Sequence, residues 1–138
     1  MENLLKAIKR ADTVYICGNG GSAANAEHFS NDLFKKGIKA ICLNSNVSLI
    51  TMIANDYGYE HIFSKQLNLF ASSRDLLITI SCSGLSSNIT GALVVAKLKS
   101  MSIYEFPIFK TYDEHTFKEY GLLENKHLEL IHQVTSEL

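Results

Sequence analysis

The run Leu76-Leu77-Ile78-Thr79-Ile80 narrows the fold of this chain more than any other feature of its sequence. A strand that is apolar on both faces belongs inside a parallel sheet whose two sides are covered. Val14-Tyr15-Ile16-Cys17 and Ala40 to Leu43 have the same apolar character, and Gly18 stops the first of them. Between and around these strands lie segments that read as helices: Glu2 to Ala11, Ala23 to Lys36, Val47 to Asn55, Ile62 to Phe70, Asn88 to Ser100 and Leu122 to Glu137. Ile103 to Phe109 reads as a last strand, which Pro107 confines to an edge or to its first half. Strands alternating with helices predict an α/β fold, a three-layer αβα sandwich around a parallel sheet of four to five strands. The chain's 138 residues suit one domain, 1–138, with one hydrophobic core.

Composition then removes several functions. A net charge of -1 gives no general polyanion-binding surface, so nucleic acid is not an expected partner. A local anion site stays open, because it depends on oriented dipoles and not on net charge. No apolar stretch approaches the ~20 residues that span a bilayer, and Met1 to Arg10 has charges throughout and no signal-peptide core. No membrane partner is expected, and the expected compartment is the cytoplasm. Cys17, Cys42 and Cys82 have no close pairing, which fits reduced thiols. Cys17 and Cys42 read as core residues, whereas Cys82 lies in a serine-rich turn.

Two segments share one design. Gly18-Asn19-Gly20-Gly21-Ser22 and Ser81-Cys82-Ser83-Gly84-Leu85-Ser86-Ser87 each follow a buried strand and precede a helix. Glycine lets backbone approach a ligand closely, free amides at a helix start point toward an anion, and serine hydroxyls add donors without charge. Such a pair of turns suits a phosphate monoester. Either turn alone also fits an ordinary strand-to-helix connection with a serine cap. Neither is a nucleotide fingerprint, since there is no Walker-type lysine and no G-x-G-x-x-G.

Polar residues at helical spacing form a second set. His28 and Asp32 are four apart on one helix, and Glu124 and His132 eight apart on the last. Two imidazoles and two carboxylates suit zinc or another divalent ion, and they also suit solvated helix positions.

The chain resembles the sugar isomerase (SIS) domain family, and within it the phosphoheptose isomerases. The likeness is carried by Cys17-Gly-Asn-Gly-Gly-Ser22, His28-Phe29, Asn55-Asp56-Tyr57-Gly58-Tyr59 with Ile62-Phe63, and Ile80-Ser-Cys-Ser-Gly84 with Ser86. It implies a flavodoxin-like or Rossmann-like fold. It also implies interconversion of sedoheptulose 7-phosphate and D-glycero-D-manno-heptose 7-phosphate, feeding heptose synthesis for surface polysaccharide. By this resemblance Ser81, Ser83 and Ser86 would bind the phosphate and Asn19, Ser22 and Asp56 would line the sugar site, with Gly20, Gly21 and Cys82 also among the substrate-binding residues. His28, Asp32, Glu124 and His132 would hold the metal, with Asp32 and His132 as the proton-transfer pair and His127 as supporting structure. Asp32 stands where the family has glutamate, Glu124 where it has glutamine, Cys82 where it has threonine and Lys36 where it has arginine. Between Met101 and Glu124 the chain is shorter than the family pattern. These departures leave a second reading, a non-catalytic SIS-domain protein that binds a sugar phosphate or a protein partner. A homo-oligomer, dimer or tetramer, is expected from the apolar residues Leu123, Leu128, Leu130, Ile131 and Val134 of the final helix.

Overall fold

Strands β1 (Val14–Gly18), β2 (Ala40–Cys42), β3 (Leu76–Ile80) and β4 (Ser102–Glu105) form one sheet in the order β2-β1-β3-β4. The computed structural model describes residues 1–107 and 117–138. Every strand pair is parallel. The two central strands, β1 and β3, are buried along their whole length, as their unbroken apolar character requires.

Among the described residues six helices cover the sheet: α1 (Glu2–Arg10), α2 (Gly21–Lys35), α3 (Val47–Tyr57), α4 (Ser64–Phe70), α5 (Ser87–Leu98) and α6 (Phe117–Glu137). Side chains alternate across a strand, so each face of the sheet collects its own core. Val14, Ile16, Leu76, Ile78 and Ile80 pack under Leu4 and Ile8 of α1, Phe29 and Leu33 of α2, and Ile131 and Val134 of α6. Tyr15, Cys17 and Leu77 face the other way, onto Ile53 of α3, Phe63 and Leu67 around α4, and Ile89, Ala92 and Ala96 of α5. The expected three-layer sandwich is therefore present, with α1, α2 and α6 on one side and α3, α4 and α5 on the other.

The differences from the sequence reading are local. The helix expected from Ile62 to Phe70 starts two residues later, as α4 at Ser64, and a 3-10 turn at Tyr59–His61 precedes it. Gly58, with φ +102°, ends α3 just before that turn. Strand β4 stops at Glu105, and the Phe106 amide still donates to the Thr79 carbonyl at 2.9 Å. Pro107 has no N–H with which to continue the ladder. The remainder of the expected strand, Ile108 and Phe109, lies outside the described residues. Helix α6 begins at Phe117, before the expected Leu122.

Most of the apolar stripe of α6 is taken up within the protomer, with Leu128 half-buried. Ile131 and Val134 are fully buried in the protomer's own core, Leu130 packs against that core, and Leu123 is also buried. A terminal helix laid on a parallel sheet needs such a stripe simply to cover it.

Phe29 is fully buried, and its ring meets Phe106 edge to face at 6.0 Å between centroids. Replacing Phe29 with Ala is expected to cost about 3–5 kcal/mol. Urea denaturation should show this as a lower midpoint at an unchanged m-value.

Candidate functional site

The chain leaves β1 toward β2 on one side of the sheet and leaves β3 toward β4 on the other. The crevice beyond the carboxyl ends of β1 and β3 is thus the switch point at which sheets of this kind bind ligands. Gly18 pairs with Ile80 across the two strands, so both glycine-and-serine turns emerge side by side at one level.

Each turn is held open by specific contacts. A Cβ on Gly18 would lie 2.5 Å from the Ser22 carbonyl oxygen, so only glycine allows the chain to double back there. Asn44, just past β2, fixes the same point: its side-chain oxygen accepts the Gly18 N–H at 3.2 Å, and its amide donates to the Gly18 carbonyl at 2.8 Å. In the second turn, Ser81 Oγ accepts the Gly84 N–H at 2.9 Å and Ser83 Oγ accepts the Leu85 N–H at 3.2 Å. Each hydroxyl keeps its one donor for a ligand.

A pair of amides joins the turns. Asn19 Nδ2 donates to Asn88 Oδ1 at 2.9 Å, and Asn88 Nδ2 donates to Asn19 Oδ1 at 2.8 Å. The Tyr59 hydroxyl donates to the same Asn19 oxygen at 3.0 Å. Asn88 is buried in the first turn of α5, and the sequence reading assigned it no role. Its one signal was an asparagine at a helix start, where such residues act locally on backbone or neighbouring loops.

Asn19, Gly20, Gly21, Ser22, Ser81, Cys82, Ser83 and Ser86 all line one cavity of about 270 Å³, together with Tyr120 and Glu124. Among the described residues no Lys, Arg or His lines it, and Glu124 supplies its one carboxylate. Cys82 Sγ sits 3.9 Å from Ser22 Oγ. Burial pushes the Cys82 thiol up, the Ser22 hydrogen bond opposes this, and the Glu124 charge adds to it. A thiol raised in this way is protonated at neutral pH and contributes no charge.

Asp56, expected at the sugar site, does not line the cavity. It is exposed at the end of α3, where its carboxylate accepts the Asn55 side-chain amide at 2.8 Å. The turn after Gly58 swings Tyr59 of the same motif toward the site instead.

Helices α2 and α6 lie side by side and run the same way. Asn25 Nδ2 donates to the Glu124 carbonyl at 2.9 Å, and further along His28 Nε2 meets His132 Nε2 at 3.0 Å. Asp32 Oδ2 is 3.1 Å from His28 Nε2, and Lys35 Nζ reaches Asp32 Oδ1 at 3.1 Å. The ligand atoms of His28, Asp32 and His132 all lie within 4.8 Å of one another. Glu124, expected as the fourth ligand, is not in this cluster. Eight residues on a helix amount to about 12 Å of rise and about 80° beyond two full turns. Its carboxylate lies over Gly21, where an added Cβ would sit 2.3 Å from it. Asp32 and His132, expected as the proton-transfer pair, border a separate depression with Lys35, Lys36, Thr135 and Ser136. His127, expected as supporting structure, packs away from the cluster. It is buried, its ring meets Phe106 at 5.5 Å, and its Nε2 carries the proton donated to the Pro107 carbonyl at 3.0 Å.

The family model for the SIS domain matches residues 1–106. The chain belongs to the SIS domain family. It is 41% identical over 109 residues to the phosphoheptose isomerase of Helicobacter pylori, a match covering 72% of this chain and 57% of that relative. Phosphoheptose isomerase 1 of Campylobacter jejuni is 43% identical over 106 residues, with the same two shares. The chain thus spans a little over half the length of the curated relatives it matches. The solved phosphoheptose isomerase of Neisseria gonorrhoeae superposes with a TM-score of 0.83 at 30% identity, covering 98% of this chain and 80% of that one. That of Francisella tularensis gives 0.84 at 26%, covering 98% and 82%. No helix among the described residues is long and apolar enough to cross a membrane.

Asn88→Ala removes both hydrogen bonds between the turns. The expected loss is about 1–3 kcal/mol, because the Asn19 amide is left short of partners in a part-buried site. Thermal unfolding of the variant checks this, and it should melt below the parent protein.

Proposed function

We propose that this SIS-domain chain is a sugar-phosphate isomerase of the phosphoheptose isomerase kind. Its reaction interconverts a ketose phosphate and an aldose phosphate, with sedoheptulose 7-phosphate and D-glycero-D-manno-heptose 7-phosphate as the pair. The observation that carries this reading is the meeting of both turns in one cavity at the switch point of the sheet. The identity to relatives named phosphoheptose isomerase supports it.

In this reading Ser81, Ser83 and Ser86 donate to the phosphate, aided by the amino end of α5 behind them. Asn19 and Ser22 face the sugar hydroxyls. Neutral donors do this work without a basic side chain because the phosphate oxygens take several short hydrogen bonds from fixed groups.

The proposal includes a divalent ion, zinc foremost, held by His28, Asp32 and His132. The residues fit such an ion. Separations of 3.0 and 3.1 Å between the donor atoms are close to the ~3.3 Å edges of a tetrahedral site with ~2.05 Å bonds. When bound, the ion would supply Lewis-acid chemistry at the depression that Asp32 and His132 border. Lys35 holds the second oxygen of Asp32 and fixes the direction of its carboxylate.

A homo-oligomer also belongs to the proposal. It is supported by the exposed side chains Met52, Tyr57, Leu69 and Phe70, which line one groove on α3 and α4. The free thiols of Cys17, Cys42 and Cys82 support a cytoplasmic location.

Incubation with sedoheptulose 7-phosphate and zinc should yield the aldose phosphate, followed by NMR. Absence of product at high protein concentration would overturn the enzymatic reading. Ser83→Ala should weaken binding of the phosphorylated sugar by roughly 10- to 100-fold, the loss of one hydrogen bond to a charged group. Isothermal titration calorimetry reads that change directly.

A further inference from the structure

The hydrogen bonds of Asn19 restrict what its side chain can offer a ligand. Its Oδ1 accepts twice, from Asn88 Nδ2 at 2.8 Å and from the Tyr59 hydroxyl at 3.0 Å. Both lone pairs of that oxygen are thereby taken. Its Nδ2 gives one N–H to Asn88 Oδ1 at 2.9 Å, and the other N–H has no partner among the described residues. Asn19 lines the cavity, so its side chain presents a donor there and not an acceptor. An amide carries both kinds of atom, and turned over it would present the opposite.

The start of α5 prevents that reversal. A reciprocal pair of amides survives if both turn over together, so the pair alone does not choose. The Ile89 N–H does. It is among the first amides of α5, which have no carbonyl a turn earlier to bond. It donates to Asn88 Oδ1 at 2.9 Å, and a reversed Asn88 would set Nδ2 against it, donor against donor. Asn88 is 1% exposed, so water does not compete for these bonds. The Tyr59 hydroxyl then fills the second lone pair of Asn19 Oδ1. Neither Asn88 nor Tyr59 lines the cavity itself.

We infer that Asn88 and Tyr59 are positioning residues that make Asn19 a dedicated donor to a sugar oxygen of the bound phosphosugar, an assignment that rests on the sugar-phosphate reading above. The orientation passes from a helix-start amide to Asn88, and from Asn88 to Asn19. The site therefore selects a ligand with an accepting oxygen at that point. A hydroxyl that has to donate there finds no acceptor in Asn19, and a buried donor left unmatched weakens binding.

The test uses the full chain with sedoheptulose 7-phosphate and, separately, inorganic phosphate. Heteronuclear NMR follows the Asn19 side-chain amide, and isothermal titration calorimetry gives the affinities. In the parent, one Asn19 Nδ2 proton should move downfield with the phosphosugar and hold its position with inorganic phosphate. Tyr59→Phe removes one donor to Oδ1 and leaves the reciprocal pair, and should weaken the phosphosugar by about 2- to 10-fold. Asn88→Ala frees the Asn19 amide to turn over, and should weaken it by about 10-fold or more. The melting shift induced by inorganic phosphate should be retained in both variants, since the serine turn that would hold the phosphate is intact. If Asn88→Ala folds poorly, Tyr59→Phe and the Asn19 signal of the parent decide the matter. Equal weakening of both ligands shows a tie between turns and nothing more, and overturns the assignment. Unchanged phosphosugar affinity in the variants overturns it too. A parent that binds neither ligand removes the sugar-phosphate reading as well. A parent that binds the phosphosugar with no shift of the Asn19 amide removes this assignment alone.

Discussion

The pairing of β1 with β3 is the constraint on which the site depends. These strands are neighbours in the sheet although β2 comes between them in sequence, and their register sets Gly18 opposite Ile80. Two turns separated by some sixty residues of chain therefore leave the sheet at the same height and on the same edge. The pairing is secured by burial on both faces, since a one-residue slip would exchange the two cores that Ile16 and Cys17, or Ile78 and Leu77, now enter.

Once the strands are fixed, small polar contacts refine the site. The reciprocal amides of Asn19 and Asn88 hold one turn to the other, with Tyr59 adding a third bond from the opposite layer. Asn44 does the same for the end of β1 from beside β2. The resulting cavity presents hydroxyls, amides and a neutral thiol, and among the described residues no basic side chain lines it. Such a cavity suits an anion, because its donors are already fixed in place.

The parallel packing of α2 on α6 divides the remaining polar residues between two places. Asn25 and Glu124 meet near the amino end of α2, beside the cavity, while His28, Asp32 and His132 meet about two turns further on. The geometry thus separates a carboxylate that lines the cavity from a three-residue cluster of possible ligand atoms. It does so along two helices that also bury Phe29, Leu33, Ile131 and Val134 against the sheet. The positions of the polar groups are consequently as rigid as the core beneath them.

The sequence by itself determined the layers, the parallel sheet and most of the cavity. Runs such as Leu76 to Ile80 have no polar face, and glycine at position 18 is required by backbone contact alone. Eight of the nine residues expected around the substrate line the cavity for that reason, because each sits in a turn at a strand end. The tertiary structure decided what local spacing could not. Asp56 points away because Gly58 redirects the chain, and Tyr59 reaches the site in its place. Asn88 matters only because another loop arrives beside it. Glu124 parts from His132 because an i, i+8 pair diverges by about 80° and about 12 Å, so the two face different neighbours on α2. Strand ends and glycine turns are short-range properties of a chain, whereas the partner across an interface is fixed only when two distant helices pack.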